Sequence, residues 1–199
     1  GGGAAGFFSA INIAEKNPKL KIAILERGKE VLTKVRISGG GRCNVTHNCF
    51  EVSELVKYYP RGEKELRSPF SVFSPKDTIV WFEKHNVKLK TEEDNRMFPT
   101  TDSSQTIIDC FLENAKKLKI DVLTSQSVQS VFRSENTWKI ESQNEKYSCE
   151  NLIFATGSNP KIWELLQGMD TNVRVVGEHV QYESIVWRTS FIIDINLYE

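Results

Sequence analysis

The run Gly1-Gly2-Gly3-Ala4-Ala5-Gly6, with a carboxylate further along at Glu26, is a set of residue types suited to holding the pyrophosphate of a dinucleotide. Each glycine removes a side chain where the backbone must turn or approach closely. Gly1 permits a tight turn, Gly3 lets the backbone come up against the pyrophosphate, and Gly6 lets the next helix pack on a sheet. That helix, expected over residues 4 to 15, begins at Ala4 and Ala5, so its free amides and positive dipole end would point at the phosphates. Glu26 stands where a ribose-binding acid belongs after such a turn. A carboxylate accepts hydrogen bonds from ribose hydroxyls and repels a ribose phosphate, which favours FAD or NAD over NADP.

A second group is Ile37-Ser38-Gly39-Gly40-Gly41-Arg42-Cys43-Asn44-Val45-Thr46-His47. Three glycines followed by a guanidinium, a thiol and an amide describe a loop that approaches a ligand closely while polar groups converge on it. A surface loop with a solvated arginine has the same composition. Cys43 reads as a small buried residue beside a ligand rather than as a redox thiol. His47 and His179 are available acids, and neither is assigned a catalytic role. A third group is Leu152-Ile153-Phe154-Ala155-Thr156-Gly157, an apolar strand ending in small residues.

The elements that must position these groups follow from periodicity. The first helix has Phe7, Phe8, Ile11 and Ala14 at near-helical spacing, and residues 21 to 25 form an apolar strand ending at Glu26. A strand is also expected ahead of the first glycine. Short helices are expected over residues 53 to 59 and 62 to 67. A longer one over 75 to 85 would face the core with Ile79, Phe82 and Trp81. A hairpin over 91 to 98 turns at Asp94-Asn95. Ser103-Ser104-Gln105 opens a helix with Ile107, Ile108, Phe111, Leu112 and Ala115 on one face. Residues 122 to 124, 128 to 133, 137 to 142, 146 to 149 and 151 to 155 read as strands between polar turns.

Taken together, residues 1 to 6, Leu25-Glu26-Arg27, the run Ser38 to Asn44, and Ala155-Thr156-Gly157 followed by Ser158-Asn159-Pro160 resemble the bacterial YhiN/BaiN-like family of FAD-dependent oxidoreductases. The Ser-Gly-Gly-Gly-Arg-Cys-Asn run is the specific part, because other flavoprotein families share the first and last motifs only. The resemblance covers about residues 1 to 165 and fails beyond about Asn172. It implies an α/β fold, a Rossmann-like FAD-binding domain with a parallel sheet, helices and a β-meander excursion, truncated at both ends. Residues 1 to 170 would be a partial FAD-binding domain without its first strand. Residues 171 to 199 would begin an inserted domain or form an unrelated tail.

The resemblance further implies FAD as cofactor, NAD(P)H as transient hydride donor and an organic acceptor such as an activated double bond. The implied cofactor contacts are Gly1, Gly3, Ala4, Ala5 and Gly6 at the turn, and Glu26 and Arg27 at the strand end. Ser38, Gly39, Gly40, Gly41, Arg42, Cys43 and Asn44 follow in the loop, with Val128, and then Ala155, Thr156 and Gly157. Arg42 is a candidate to neutralise phosphate or the charge that develops on reduced flavin, the alternative being a salt bridge without phosphate. Two other classes fit the same motifs: a non-catalytic nucleotide-binding module, and an RNA-modifying flavoenzyme that reduces a uracil in ribosomal RNA.

Composition bounds the partners. The 199 residues carry 26 basic and 26 acidic side chains and 39% apolar residues, enough for one core of moderate size. Zero net charge argues against nucleic acid, which normally meets a basic surplus or stripe. No apolar run reaches the ~20 residues of a membrane span, and no secretory signal is visible. Cys43, Cys49, Cys110 and Cys149 lack metal-ligand spacing and suggest no disulfide framework, so no metal site and a cytoplasmic setting are expected. The organic substrate is not specified by any of these residues.

Overall fold

The computed structural model describes residues 1–60 and 62–157. Helix α1, Ala4–Lys16, starts from Gly3 in an extended conformation and buries Phe7, Ala10, Ile11 and Ala14 on one face. Strand β1, Ala23–Leu25, follows. Helix α2, Thr33–Ile37, leads into a short 3-10 segment, Ser38–Gly41, and then β2, Thr46–His47. Helices α3, Val52–Leu55, and α4, Arg67–Val72, precede α5, Pro75–Lys84. Ser74 caps α5: its hydroxyl accepts from the Asp77 N–H while the Asp77 carboxylate accepts from the Ser74 N–H, and Pro75 fits the first helical position.

The hairpin β3, Leu89–Thr91, and β4, Arg96–Pro99, leads to α6, Ser104–Lys117, and β5, Asp121–Leu123. Strands β6, Val128–Ser134, β7, Thr137–Ser142, and β8, Lys146–Cys149, complete the described elements. β1 and β5 pair in parallel, Ala23 opposite Asp121 and Leu25 opposite Leu123. The long connection between them contains α6, which packs with α1 through an aromatic and aliphatic core of Phe7, Ile11, Phe82, Ile107, Ile108 and Phe111. β2, β4 and β3 form a small antiparallel sheet, and β6, β7 and β8 an antiparallel meander. The meander buries Val131, Trp138, Ile140 and Phe154, with Leu25 and Val128 packed against them. This is the expected arrangement of a parallel pair, helices and a β excursion.

Four details depart from the sequence reading. The helix expected over 62 to 67 lies at α4 instead: a lone turn closes with the Leu66 N–H on Gly62 O at 2.9 Å, and the helix begins at Arg67. Pro69 is the cause, since a residue without an N–H is tolerated in a first turn and not in a helix interior. Thr78 takes the buried position expected of Ile79, which is half-buried beside buried Trp81 and Phe82. On α6, Cys110 is buried and Leu112 is 38% exposed, because the end of α5 covers the Cys110 side, where the thiol contacts the His85 carbonyl. Residues 151 to 155 form no strand, having no ladder partner among the described residues, although Phe154 and Ala155 are buried.

Candidate cofactor-binding site

The glycine turn is built by close approach of three backbone segments. A Cβ on Gly1 would lie 2.2 Å from the Ala155 carbonyl oxygen, and one on Gly6 would lie 2.0 Å from Gly1 O. Gly1 therefore makes close contact with residues 155 and 156, which a side chain there would block. Gly6 lets α1 pass against its own turn. Gly3 differs from both, because nothing stands within 4 Å of where its Cβ would be. α1 also begins with no side-chain cap and no acid in its first turn. The N–H groups of a first helical turn have no carbonyl partners within the helix, so this end offers donors and a positive dipole to an anion.

Glu26 closes the other side. Its Oε2 accepts from the Gly2 N–H at 2.7 Å and its Oε1 from the Gly28 N–H at 2.8 Å. The Glu26 N–H donates to Leu123 O and the Gln126 N–H donates to Glu26 O, both at 2.8 Å, which extends the β1–β5 pairing past the acid. The carboxylate is thus fixed at the strand end, with lone pairs left for further donors. Arg27 beside it is exposed. Val128 and Leu25 each pack against the meander cluster of Val131, Trp138, Ile140 and Phe154. The turn, Glu26, Ala155 and Thr156 are therefore brought together from three parts of the chain, while Val128 is placed on the meander core.

The run Ser38 to Asn44 is reached from the turn through Leu32, whose N–H donates to Gly2 O at 2.8 Å just ahead of α2. Gly39 and Gly40 are left-handed, φ 55° and 68°, inside the 3-10 segment. A Cβ on Gly39 would lie 2.8 Å from Asn44 N and 3.0 Å from the Phe98 ring, whereas Gly40 has nothing within 4 Å. The Cys43 N–H donates to Ser38 O at 3.0 Å, and Cys43 and Val45 join the apolar cluster of Phe7 and Ile11. The Asn44 side chain is buried, and its Oδ1 has no hydrogen-bond partner. The Arg42 guanidinium is engaged by Glu92 and Asp102 over the Phe98 ring. Nothing in the sequence flagged these partners, since Glu92 is fifty residues away and shares no motif with the loop.

Cys43 is completely buried, and burial pushes its thiol far above the usual range, the Ser38 side chain opposing weakly. It is placed for packing rather than thiolate chemistry. His47 lies against Tyr58, ring centroids 4.2 Å apart, with a buried and unpartnered Nδ1. Burial lowers its pKa and Asp94 opposes this. Thr156 and Gly157 are half-buried, and Gly157 is left-handed at φ 65°. His179 and Ser158-Asn159-Pro160 lie outside the described residues. No group of three metal-ligating side chains occurs among the described residues, and no described helix is long and apolar enough to cross a membrane.

A parallel strand pair, a close-packed glycine turn opening an uncapped helix, an acid fixed at the next strand end and an antiparallel meander define a Rossmann-like domain of the FAD-binding type. Residues 1–174 match the HI0933-like protein Rossmann domain, and the chain belongs to that family. It is similar to the ribosomal RNA dihydrouridine synthase of Escherichia coli, 27% identical over 157 residues, covering 79% of this chain and 38% of that protein. It is also similar to the 3-dehydro-bile acid delta(4,6)-reductase of Clostridium scindens, 22% identical over 157 residues, covering 79% and 37%. The chain thus spans under two fifths of the length of these relatives. Among solved structures, the 3-ketosteroid-delta4-(5alpha)-dehydrogenase of Rhodococcus jostii shares the fold, with a TM-score of 0.58, 14% identity, and coverage of 82% of this chain and 46% of that one.

Proposed function

We propose that this chain is the FAD-binding part of a flavoprotein oxidoreductase that passes hydride from NAD(P)H to an organic acceptor with an activated double bond. The observation that carries the reading is the packing of Gly1 and Gly6 against each other and Ala155 while the Cβ direction of Gly3 stays open. Close packing where the chain meets itself and an open cradle at the cap of an uncapped helix fit a pyrophosphate at that point. The first-turn amides of Ala4, Ala5 and Gly6 would hold it, and the Glu26 carboxylate would accept from ribose hydroxyls while turning away a ribose phosphate. Gly40, open on its Cβ side, and the unpartnered Asn44 Oδ1 would face another part of the same ligand. When bound, FAD supplies the two-electron carrier, and the chain's own share is binding, orientation and exclusion of water.

The names of the relatives give the acceptor two chemical forms, a uracil within ribosomal RNA and an unsaturated steroid acid. Both reactions, as named, concern a carbon–carbon double bond conjugated to a carbonyl. The balance of 26 basic and 26 acidic residues favours the small acceptor for this part of the molecule. A cytoplasmic location follows from the same reading, with its cysteines reduced. The test is to purify the full-length protein, record its flavin spectrum, and follow NADH and NADPH oxidation with an unsaturated ketone or with unmodified ribosomal RNA. Flavin with acceptor-dependent oxidation supports the proposal. Flavin without oxidation by any acceptor points instead to a non-catalytic nucleotide-binding module.

A further inference from the structure

Arg42 carries the one charge in the run Ser38 to Asn44, yet its guanidinium is committed within the chain. Nη1 pairs with Glu92 Oε1, and Nη2 donates to Glu92 Oε2 at 3.3 Å. Asp102 Oδ1 stands 3.6 Å from Nη1, and the Oδ2 of the same carboxylate accepts from Lys90 Nζ at 2.5 Å. The guanidinium carbon lies 4.1 Å from the centre of the Phe98 ring, and the same ring occupies the space that a Cβ on Gly39 would need. Phe98 therefore touches both ends of the loop, and the Val45 N–H on Met97 O at 2.8 Å continues the attachment into β2 and β4. Between Gly39 and Val45 lie Gly40, Gly41 and Cys43, all at positive φ, the last without the freedom of glycine.

We infer that Arg42 is a positioning residue whose fork on Glu92 and stack on Phe98 clamp the 38–44 loop to the β3–β4 hairpin, leaving Gly40 and Asn44 presented to the cofactor. This rests on the FAD reading above. Its charge is matched by Glu92, not by phosphate or flavin. A lysine cannot reproduce a planar fork or the stack, so conservation of charge alone is insufficient.

The discriminating variants in the full-length protein are Glu92→Gln, Arg42→Lys, and the exchanged pair Arg42→Glu with Glu92→Arg. The readouts are FAD retained through gel filtration, the flavin midpoint potential, and hydrogen exchange of the amides of residues 38 to 45. The clamp predicts that Glu92→Gln and Arg42→Lys each lower FAD retention about tenfold and speed exchange in the loop, while the exchanged pair recovers retention lost by either single change. FAD that remains bound in Glu92→Gln should show a midpoint potential close to that of the unaltered protein. Retention unchanged or improved in Glu92→Gln, with a shifted potential, would overturn the inference, because freeing the guanidinium would then help it face the cofactor. Loop exchange is read without flavin. An unaltered protein that never binds FAD overturns the proposed function, and unchanged loop exchange in both single variants overturns the clamp.

Discussion

Alanine at Gly3 separates a ligand contact from a structural one. The backbone there is extended, φ −90° and ψ −175°, a conformation open to alanine, and the added methyl meets nothing within 4 Å. The stability cost is limited to replacing glycine at a helix N-cap by alanine, about 1 kcal/mol, or a fall in Tm of about 2–4 °C for a domain of this size. The effect on FAD should be larger, because the methyl would fill the cradle through which the first-turn amides reach the pyrophosphate. Losing one hydrogen bond to a charged group costs about 1.5–3 kcal/mol, so Kd should rise roughly tenfold to a hundredfold. The assay is FAD titration of the full-length apoprotein, followed by flavin fluorescence, beside thermal melting of the same samples. Gly6→Ala is the opposite control: its Cβ would lie 2.0 Å from Gly1 O, so folding and binding should fail together. FAD affinity within twofold of the unaltered protein in Gly3→Ala would refute the assignment of that cradle.

Glu26→Ala removes the acceptor of both the Gly2 and Gly28 amides, and should weaken FAD binding with a measurable loss of Tm; unchanged flavin occupancy would count against Glu26 as the ribose acid. Glu26→Gln should also bind poorly, since an amide places a donor against one of those N–H groups, and isothermal titration would show it. Thiol labelling at pH 8 should modify Cys49 and Cys149 in the native state and leave Cys43 and Cys110 unreacted until denaturant is added. Burial pushes the Cys110 thiol up to about 12 and Cys43 further still; rapid labelling of Cys43 in the folded protein would contradict its packing role. His47 has its pKa lowered by burial, so the unfolded chain binds its proton more readily than the folded one does. Its contribution is complete above the unfolded value of about 6.5 and declines as pH falls through that value toward the lower folded one. His47→Gln should therefore flatten the decline of Tm between about pH 7 and 5, and an unchanged slope would dismiss this.

What could be read from sequence depended on how local the cause is. The glycine turn, α1 and Glu26 are contiguous or periodic, so spacing alone placed them. The β6–β7–β8 meander followed from short strand-like runs between polar turns. The job of each glycine was less legible: only coordinates show Gly1 facing Ala155 across the whole length of the domain and Gly3 facing open space. The helix expected over 62 to 67 gives way to α4, with Pro69 in its first turn, although Glu63 and Arg67 have helical spacing and pair at 3.0 Å. The Arg42–Glu92 clamp was invisible because it joins a loop to a hairpin that no periodicity links. Motif context made the arginine a candidate ligand group with an internal salt bridge as the alternative, and it is the salt bridge, to Glu92 and Asp102, that the structure shows.

The most direct measurement of the central claim is the visible absorbance of the purified full-length protein, with quantification of the flavin released on denaturation. The account predicts a bound-flavin spectrum and near-stoichiometric release of FAD, restored after stripping by FAD and not by NADP. A colourless protein whose spectrum does not change on titration with FAD would contradict it.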